Sequence, residues 1–254
     1  MTMRTLAMAT VAFALFAARA LAQDFHPVDP DNLLVLDTSK GRVIVEMRPD
    51  VAPAHVARIK ALVRKGFFND DLFYRVVAGF VVQTGRNATN DGSSGLGPIK
   101  AELNFHPTTP VQPLAMGAGF SGDMPVAADA DGSAWPKFCA GMASLAHYDD
   151  VNSGDAQIFM LTGPAANLDR TFTAWGRVVA GEDTLKAMAA GEPPAAPDHL
   201  IKAHIASDLP EADRPKVSIA DPASPTFKAA IDKAKAAAGG MFGVCDVVPP
   251  VEVK

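Results

Sequence analysis

Phe73-Tyr74-Arg75-Val76-Val77-Ala78-Gly79-Phe80-Val81-Val82-Gln83-Thr84-Gly85 is the most informative segment of the chain. It is dense in β-branched and aromatic residues, the types that suit a pleated, half-buried surface. Gly79 in its middle marks a bend or bulge. Strand alternation places Arg75 and Val77 on one face. A break near Gly79 can then turn Phe80 and Gln83 toward the same space. A lone arginine on a strand is most often a solvated edge charge, and a lone phenylalanine is most often core. Together these residues put a cation, an aromatic wall and a neutral amide in one neighbourhood.

Working outward, residues 33–36 and 42–47 are short apolar-rich runs joined by Ser39-Lys40-Gly41, which reads as two strands and a tight turn. Val56, Ile59, Leu62 and Val63 recur at helical spacing and Gly66 follows, so a helix is predicted over 54–65. Further strands are predicted over 141–146, 157–162, 172–179 and 200–205, with a short helix over 184–189. Many short strands and two helices in one compact region suggest an antiparallel barrel or sandwich. Residues 117–140 lack periodicity and hold Gly119, Gly122, Pro125, Gly132 and Pro136, which reads as an inserted loop. After Asp208 prolines punctuate the chain. One helix is predicted there over 226–238, with Ser224 as cap, Pro225 at its first position and Gly239 at its stop.

The central segment resembles the strand motif of the cyclophilin family: an aromatic-rich start, Arg-Val, then Phe-x-x-Gln-x-Gly. Three later segments resemble family segments in the same order. They are Gly141-Met142-Ala143-Ser144-Leu145-Ala146-His147, then Gln157-Ile158-Phe159-Met160-Leu161-Thr162, then the run Leu168-Asp169 to Trp175-Gly176-Arg177-Val178. The similarity covers residues 33–205, and several segments in order are far more specific than one. The resemblance implies a mainly β fold, a closed eight-stranded antiparallel barrel capped by two helices. It also implies peptidyl-prolyl cis-trans isomerase activity. Carried over residue by residue, Arg75 matches the catalytic arginine and Gln83 the glutamine beside it. Phe80, Val81, Phe159, Leu168 and Phe172 match the wall of a proline pocket. Ala146, His147 and Gln157 match the strip that holds the peptide backbone. The departures are Tyr74 and Phe172 in place of His, Ala78 in place of Pro, Val81 in place of Met, and His147 in place of Asn. Asn167 stands where many eukaryotic members carry Trp, which implies weak binding of cyclosporin.

The 254 residues fit an isomerase domain over 23–208 and a C-terminal extension over 209–254. Arg4, the apolar run 6–18 and Ala20-Leu21-Ala22 have the layout of a secretory signal peptide spanning 1–22. A periplasmic or secreted location, with no membrane association after cleavage, is the expectation. A net charge of −5 argues against a nucleic-acid partner. An oxidising compartment permits Cys139 and Cys245 to pair; the alternative is two unrelated buried thiols. No Gly-x-Ser-x-Gly elbow appears, which disfavours a hydrolase. His147, Asp149 and Asp150 read as a solvated cluster rather than a metal site, and isomerisation about proline needs no cofactor. The expected partners are proline-containing peptides and unfolded exported proteins, met by a monomer. A second class also fits the residues: a catalytically weak proline-peptide-binding module or chaperone on the same fold.

Overall fold

The structure, a computed structural model, describes residues 24–85, 93–108, 110–115 and 117–254. The expected signal peptide lies outside them. In chain order the elements are β1 (Phe25–Pro27), β2 (Leu33–Thr38), β3 (Gly41–Met47), α1 (Pro53–Arg64), β4 (Asp71–Leu72), β5 (Arg75–Val77) and β6 (Val81–Thr84). Then come β7 (Gln112–Ala115), β8 (Ala118–Ser121), β9 (Met124–Ala128), β10 (Ala134–Pro136), β11 (Met142–Leu145), β12 (Ile158–Leu161), β13 (Ala174–Ala180) and α2 (Glu182–Lys186). The last are β14 (His199–Ile205), β15 (Val217–Ala220), α3 (Pro225–Ala238) and β16 (Val251–Val253).

The main sheet is antiparallel, in the order β4-β14-β2-β3-β13-β11-β12-β6-β5. Its two edge strands, β4 and β5, are consecutive in the chain and separated only by Phe73 and Tyr74. The expectation of a closed eight-stranded barrel with two helices is corrected accordingly. The curled sheet has nine strands, its two edges are joined by the chain rather than by a ladder, and the described residues hold three α-helices. The reason is local. The segment 71–77 changes partner part-way, pairing His199 and Leu200 first and then Val81 to Gln83. At the change Phe73 N–H donates to the Asp198 carbonyl at 2.9 Å, outside either ladder.

Alternation sorts side chains to the two faces. Inside the curl lie Leu34, Leu36, Val43, Val45, Val82, Ile158, Met160 and Trp175, packed with Val56, Ile59 and Leu62 of α1. On the opposite face Val81, Phe159 and Leu161 join a second cluster with Phe120, Met124, Val126, Phe138 and Phe227. Both faces of these strands are therefore buried, and that explains their nearly continuous apolar runs.

What covers the second face is the region expected to be a loop. Residues 112–136 instead form a four-stranded antiparallel sheet, β10-β9-β8-β7. Two of its glycines occupy turns, Gly122 with φ +58 and Gly132 with φ +83. Between those turns Met124 and Val126 alternate inward and are fully buried. The extension holds more than its one helix. β15 pairs with both β1 and β16, so the N-terminal arm and the extension share one small sheet. The helix itself is as expected. The Ser224 hydroxyl accepts from Phe227 N–H at 3.1 Å, a cap worth about 1 kcal/mol. That cap sets Phe227 edge-on to Phe120 with ring centroids 5.0 Å apart. A disulfide joins Cys139, beside β10, to Cys245 in the extension.

Candidate functional site

β5 and β6 form a tight hairpin. Gly79 takes φ +72 in its turn, and Phe80 N–H closes on the Val77 carbonyl at 3.0 Å. The register places Arg75 directly opposite Gln83, and Gln83 opposite Phe159 on β12. One straight row across three strands thus carries guanidinium, amide and phenyl ring on the same outer face. At the turn Phe80 leans back, bringing its ring centroid 5.7 Å from Arg75 Cζ.

These side chains rim a hollow of about 200 Å³ lined by Arg75, Phe80, Val81, Gln83, Ala146, His147, Phe159, Leu168 and Phe172. Every residue singled out for the site except Gln157 lines it. Its floor is apolar, with Val81, Phe159 and Leu168 buried. Phe159 and Phe172 meet edge-to-face at 5.7 Å. Two of the departures from the family pattern meet each other, since His147 stacks on Phe172 with centroids 3.9 Å apart. The ring nitrogens of His147 face the carbonyls of Tyr148, at 2.5 Å, and Thr171, at 2.9 Å. A neutral ring can donate to only one of them.

Gln157 lies next door, in a more open groove of about 690 Å³ that shares Arg75, Gln83, Ala146 and His147 with the hollow. Its carbonyl oxygen Oε1 accepts from the Tyr74 hydroxyl and lies 3.5 Å from Gln83 Nε2. Arg75 Nη1 lies 3.5 Å from Gln83 Oε1. The order Arg75–Gln83–Gln157–Tyr74 is therefore a line of polar groups along the mouth of the hollow. Sequence reasoning marked Tyr74 only as a departure and did not single out Glu192, whose Oε2 accepts from Arg75 Nε at 2.5 Å. The available signal for Glu192 was an acid set in the turn-forming run Gly191-Glu192-Pro193-Pro194.

The fold and site together are a curled β-sheet with a ring-sized apolar hollow on its outer face, and the Arg75 guanidinium and the Gln83 amide stand at its rim. The comparisons with known proteins agree. A family model described as cyclophilin type peptidyl-prolyl cis-trans isomerase/CLD matches residues 33–205. A probable peptidyl-prolyl cis-trans isomerase of Brucella suis is 32% identical over 207 residues, covering 80% of this chain and 96% of that protein. The crystal structure of cyclophilin AquaCyp293 from Hirschia baltica superposes with TM-score 0.82 at 32% identity, covering 92% of this chain and 95% of the other. A Cryptosporidium parvum cyclophilin, solved in the presence of the dipeptide Ala-Pro, shares the fold at TM-score 0.51 and 16% identity, covering 68% of this chain and 98% of its own. The chain belongs to the cyclophilin-type peptidyl-prolyl cis-trans isomerase family.

Proposed function

We propose that this isomerase turns X-Pro bonds in the 200 Å³ hollow, with Arg75 as the group that lowers the barrier, and that its clients are exported proteins during folding. The observation that carries the reading is the position of the Arg75 guanidinium: over the edge of the hollow, beside Gln83 and 5.7 Å from the Phe80 ring. An X-Pro bond isomerises slowly because amide resonance must be broken, at a barrier of about 18–20 kcal/mol. In the twisted transition state the prolyl nitrogen becomes pyramidal and regains its lone pair. A donor aimed at that nitrogen stabilises this state and not the planar ground states, which is the condition for raising kcat. A guanidinium is cationic and presents a planar set of donors. Phe80, Val81, Phe159, Leu168 and Phe172 grip the pyrrolidine ring and exclude water, which strengthens the hydrogen bond. Gln83 steadies the guanidinium. Ala146, His147 and Gln157 hold the chain before proline along the open groove while the other side rotates. No nucleophile, metal or cofactor enters the cycle.

Residues 1–22 direct the chain out of the cytoplasm, with cleavage before Gln23, and the mature protein works as a periplasmic or secreted monomer. A mature protein recovered from the medium or periplasm with Gln23 as its first residue is the expected result. Recovery of an uncleaved chain from membranes overturns this part. For the chemistry, Arg75→Ala is expected to lose most exchange enhancement on an Ala-Pro peptide in NMR exchange or a protease-coupled assay, while still binding it. Wild-type turnover in that variant refutes the role given to Arg75. A wild-type chain that binds the peptide without speeding exchange is a binding module or chaperone instead.

A further inference from the structure

Arg75 is held from two sides. On the side facing the hollow, Nη1 lies 3.5 Å from Gln83 Oε1. On the far side, Nε–H donates to Glu192 Oε2 at 2.5 Å. Glu192 belongs to none of the segments that resemble the family motifs, and it lies more than a hundred residues away in sequence.

The backbone that presents Glu192 is fastened to the Arg75 strand. Gly191 and Val76 exchange both N–H···O bonds at 2.9 Å. Phe73 N–H donates to the Asp198 carbonyl at 2.9 Å, and Asp198 in turn takes Ala189 N–H on Oδ2 at 2.8 Å. Position 191 requires glycine, since φ is +152 and a Cβ there would stand 2.5 Å from Pro194 Cα. The segment is therefore pinned at 191, 189 and 198, and the residue after the pinned glycine is the one that meets Arg75.

The pair is a poor stabiliser of the fold. Its side chains are 34% and 54% exposed, and ion pairs of that kind contribute little. Its effect is on orientation. An arginine side chain carries about 2 kcal/mol of rotamer entropy, and its donors are useful only if the correct edge of the plane faces the substrate. A carboxylate on Nε occupies the back edge, and Gln83 steadies the front, leaving the Nη edge toward the hollow. We infer that Glu192 is a positioning residue for isomerisation, holding the Arg75 guanidinium with its Nη edge presented to the prolyl nitrogen. The inference rests on the role given to Arg75 above.

The test compares wild type, Arg75→Ala, Glu192→Gln and Glu192→Asp on one Ala-Pro peptide, together with the Arg75 Nε–H resonance of the ¹⁵N-labelled proteins. Glu192→Gln is expected to lower kcat by about 3–10-fold, the scale of a lost orientation, with KM within about twofold. Its melting temperature stays at the wild-type value. The Nε–H signal, protected from exchange in the wild type, broadens in Glu192→Gln, and Glu192→Asp recovers part of both. A kcat at or above wild type in Glu192→Gln, or a rise in KM at unchanged kcat, overturns the inference. With an active wild type and an inactive Arg75→Ala, that result overturns it alone. A wild-type chain without turnover overturns the reading of Arg75 as well.

Discussion

Glu46 is expected to remain a neutral acid far above the usual carboxyl range, and replacing it with glutamine should remove a pH-dependent loss of stability. The residue sits on β3 directly opposite Arg177 on β13, on the face covered by the β8–β9 turn. That turn delivers Asp123, whose Oδ1 accepts from Arg48 Nη1 at 2.7 Å and whose Oδ2 accepts from Arg177 Nε at 2.9 Å. Arg48 is also gripped by both oxygens of Asp50, at 2.8 and 2.7 Å. Two guanidinium groups thus meet two carboxylates, and the charges balance without Glu46. Burial pushes the Glu46 carboxyl well up, and the Asp123 charge adds to this, against the pull of Arg48 and Arg177. Asp123 goes the other way. Burial opposes its ionisation, but Arg177 and Arg48 outweigh it and hold the carboxyl below its ordinary range. The sign follows from proton counting. Above the ordinary glutamate range the unfolded chain has released the Glu46 proton and the folded chain keeps it. Stability therefore falls with rising pH by about 1.4 kcal/mol per unit until the folded Glu46 ionises. Glu46→Gln keeps an N–H donor toward Asp123 and carries no titrating proton. Urea unfolding of both proteins at pH 5, 6, 7 and 8 should show the variant gaining on the wild type by up to that slope. Contributions from all other groups cancel in the difference. A gap that does not change with pH would refute the reasoning, because it would mean that Glu46 is ionised in the folded chain as it is in the unfolded one.

Two further outcomes follow from how the insertion and extension are attached. The Cys139–Cys245 bond ties residues 106 apart in sequence, and closing a loop of that length is worth about 5 kcal/mol on the chain-entropy account. Reduction, or Cys139→Ser with Cys245→Ser, should lower the urea midpoint markedly; an unmoved midpoint would mean the tether does not restrain the unfolded chain. Trp135 on β10 lies under the Arg170 guanidinium, 4.4 Å from the ring, next to the loop that supplies Leu168 and Phe172. A cation–π contact of about 0.5–1 kcal/mol sets the scale, so Trp135→Ala should raise KM about 2–5-fold with kcat little changed. Equal kinetics in the two proteins would show that β10 does not steady that wall.

The parts legible in the sequence are those where one physical signal dominates. α1 was readable because Val56, Ile59 and Leu62 repeat at helical spacing, and all three are buried. α3 was readable from Ser224, Pro225 and Gly239, and its cap bond is present. The bend between β5 and β6 was readable from Gly79, whereas the row Arg75–Gln83–Phe159 needs the pairing registers of β6 with β5 and with β12. The insertion reads as a loop in sequence because its strands are short and are interrupted by Gly119, Pro125 and Pro136, residues that ordinarily argue against a strand. Phe120, Met124 and Val126 make sense as inward-facing residues only when the outer face of the barrel strands is there to receive them. Likewise Glu192 and Tyr74 act on Arg75 and Gln157 through contacts set by register, which local sequence does not encode. The edge break at Phe73 and Tyr74 has the same origin, since a strand that changes partners looks continuous in sequence.

The position of the hollow follows from that covering of the outer face. Val81, Phe159 and Leu168 are packed in the same cluster as Phe120, Phe138 and Phe227, so one side of the hollow is continuous with the interior under the insertion. Phe138 links the two directly. Its carbonyl accepts from Ala165 N–H at 2.8 Å, and its own N–H donates to Asp169 Oδ1 at 2.9 Å, on either side of Leu168. Lys137 adds an ion pair to the same Asp169 carboxylate. The neighbouring Cys139 carries the disulfide to the extension. The wall of the hollow is thus fastened to the added sheet, whereas Arg75 is fastened to the opposite edge through Gly191 and Glu192. Perturbing the first set should act on how firmly proline is held, and perturbing the second on how well the rotating bond is stabilised. KM and kcat should therefore separate along this line in the structure, with Trp135→Ala and Glu192→Gln at its two ends.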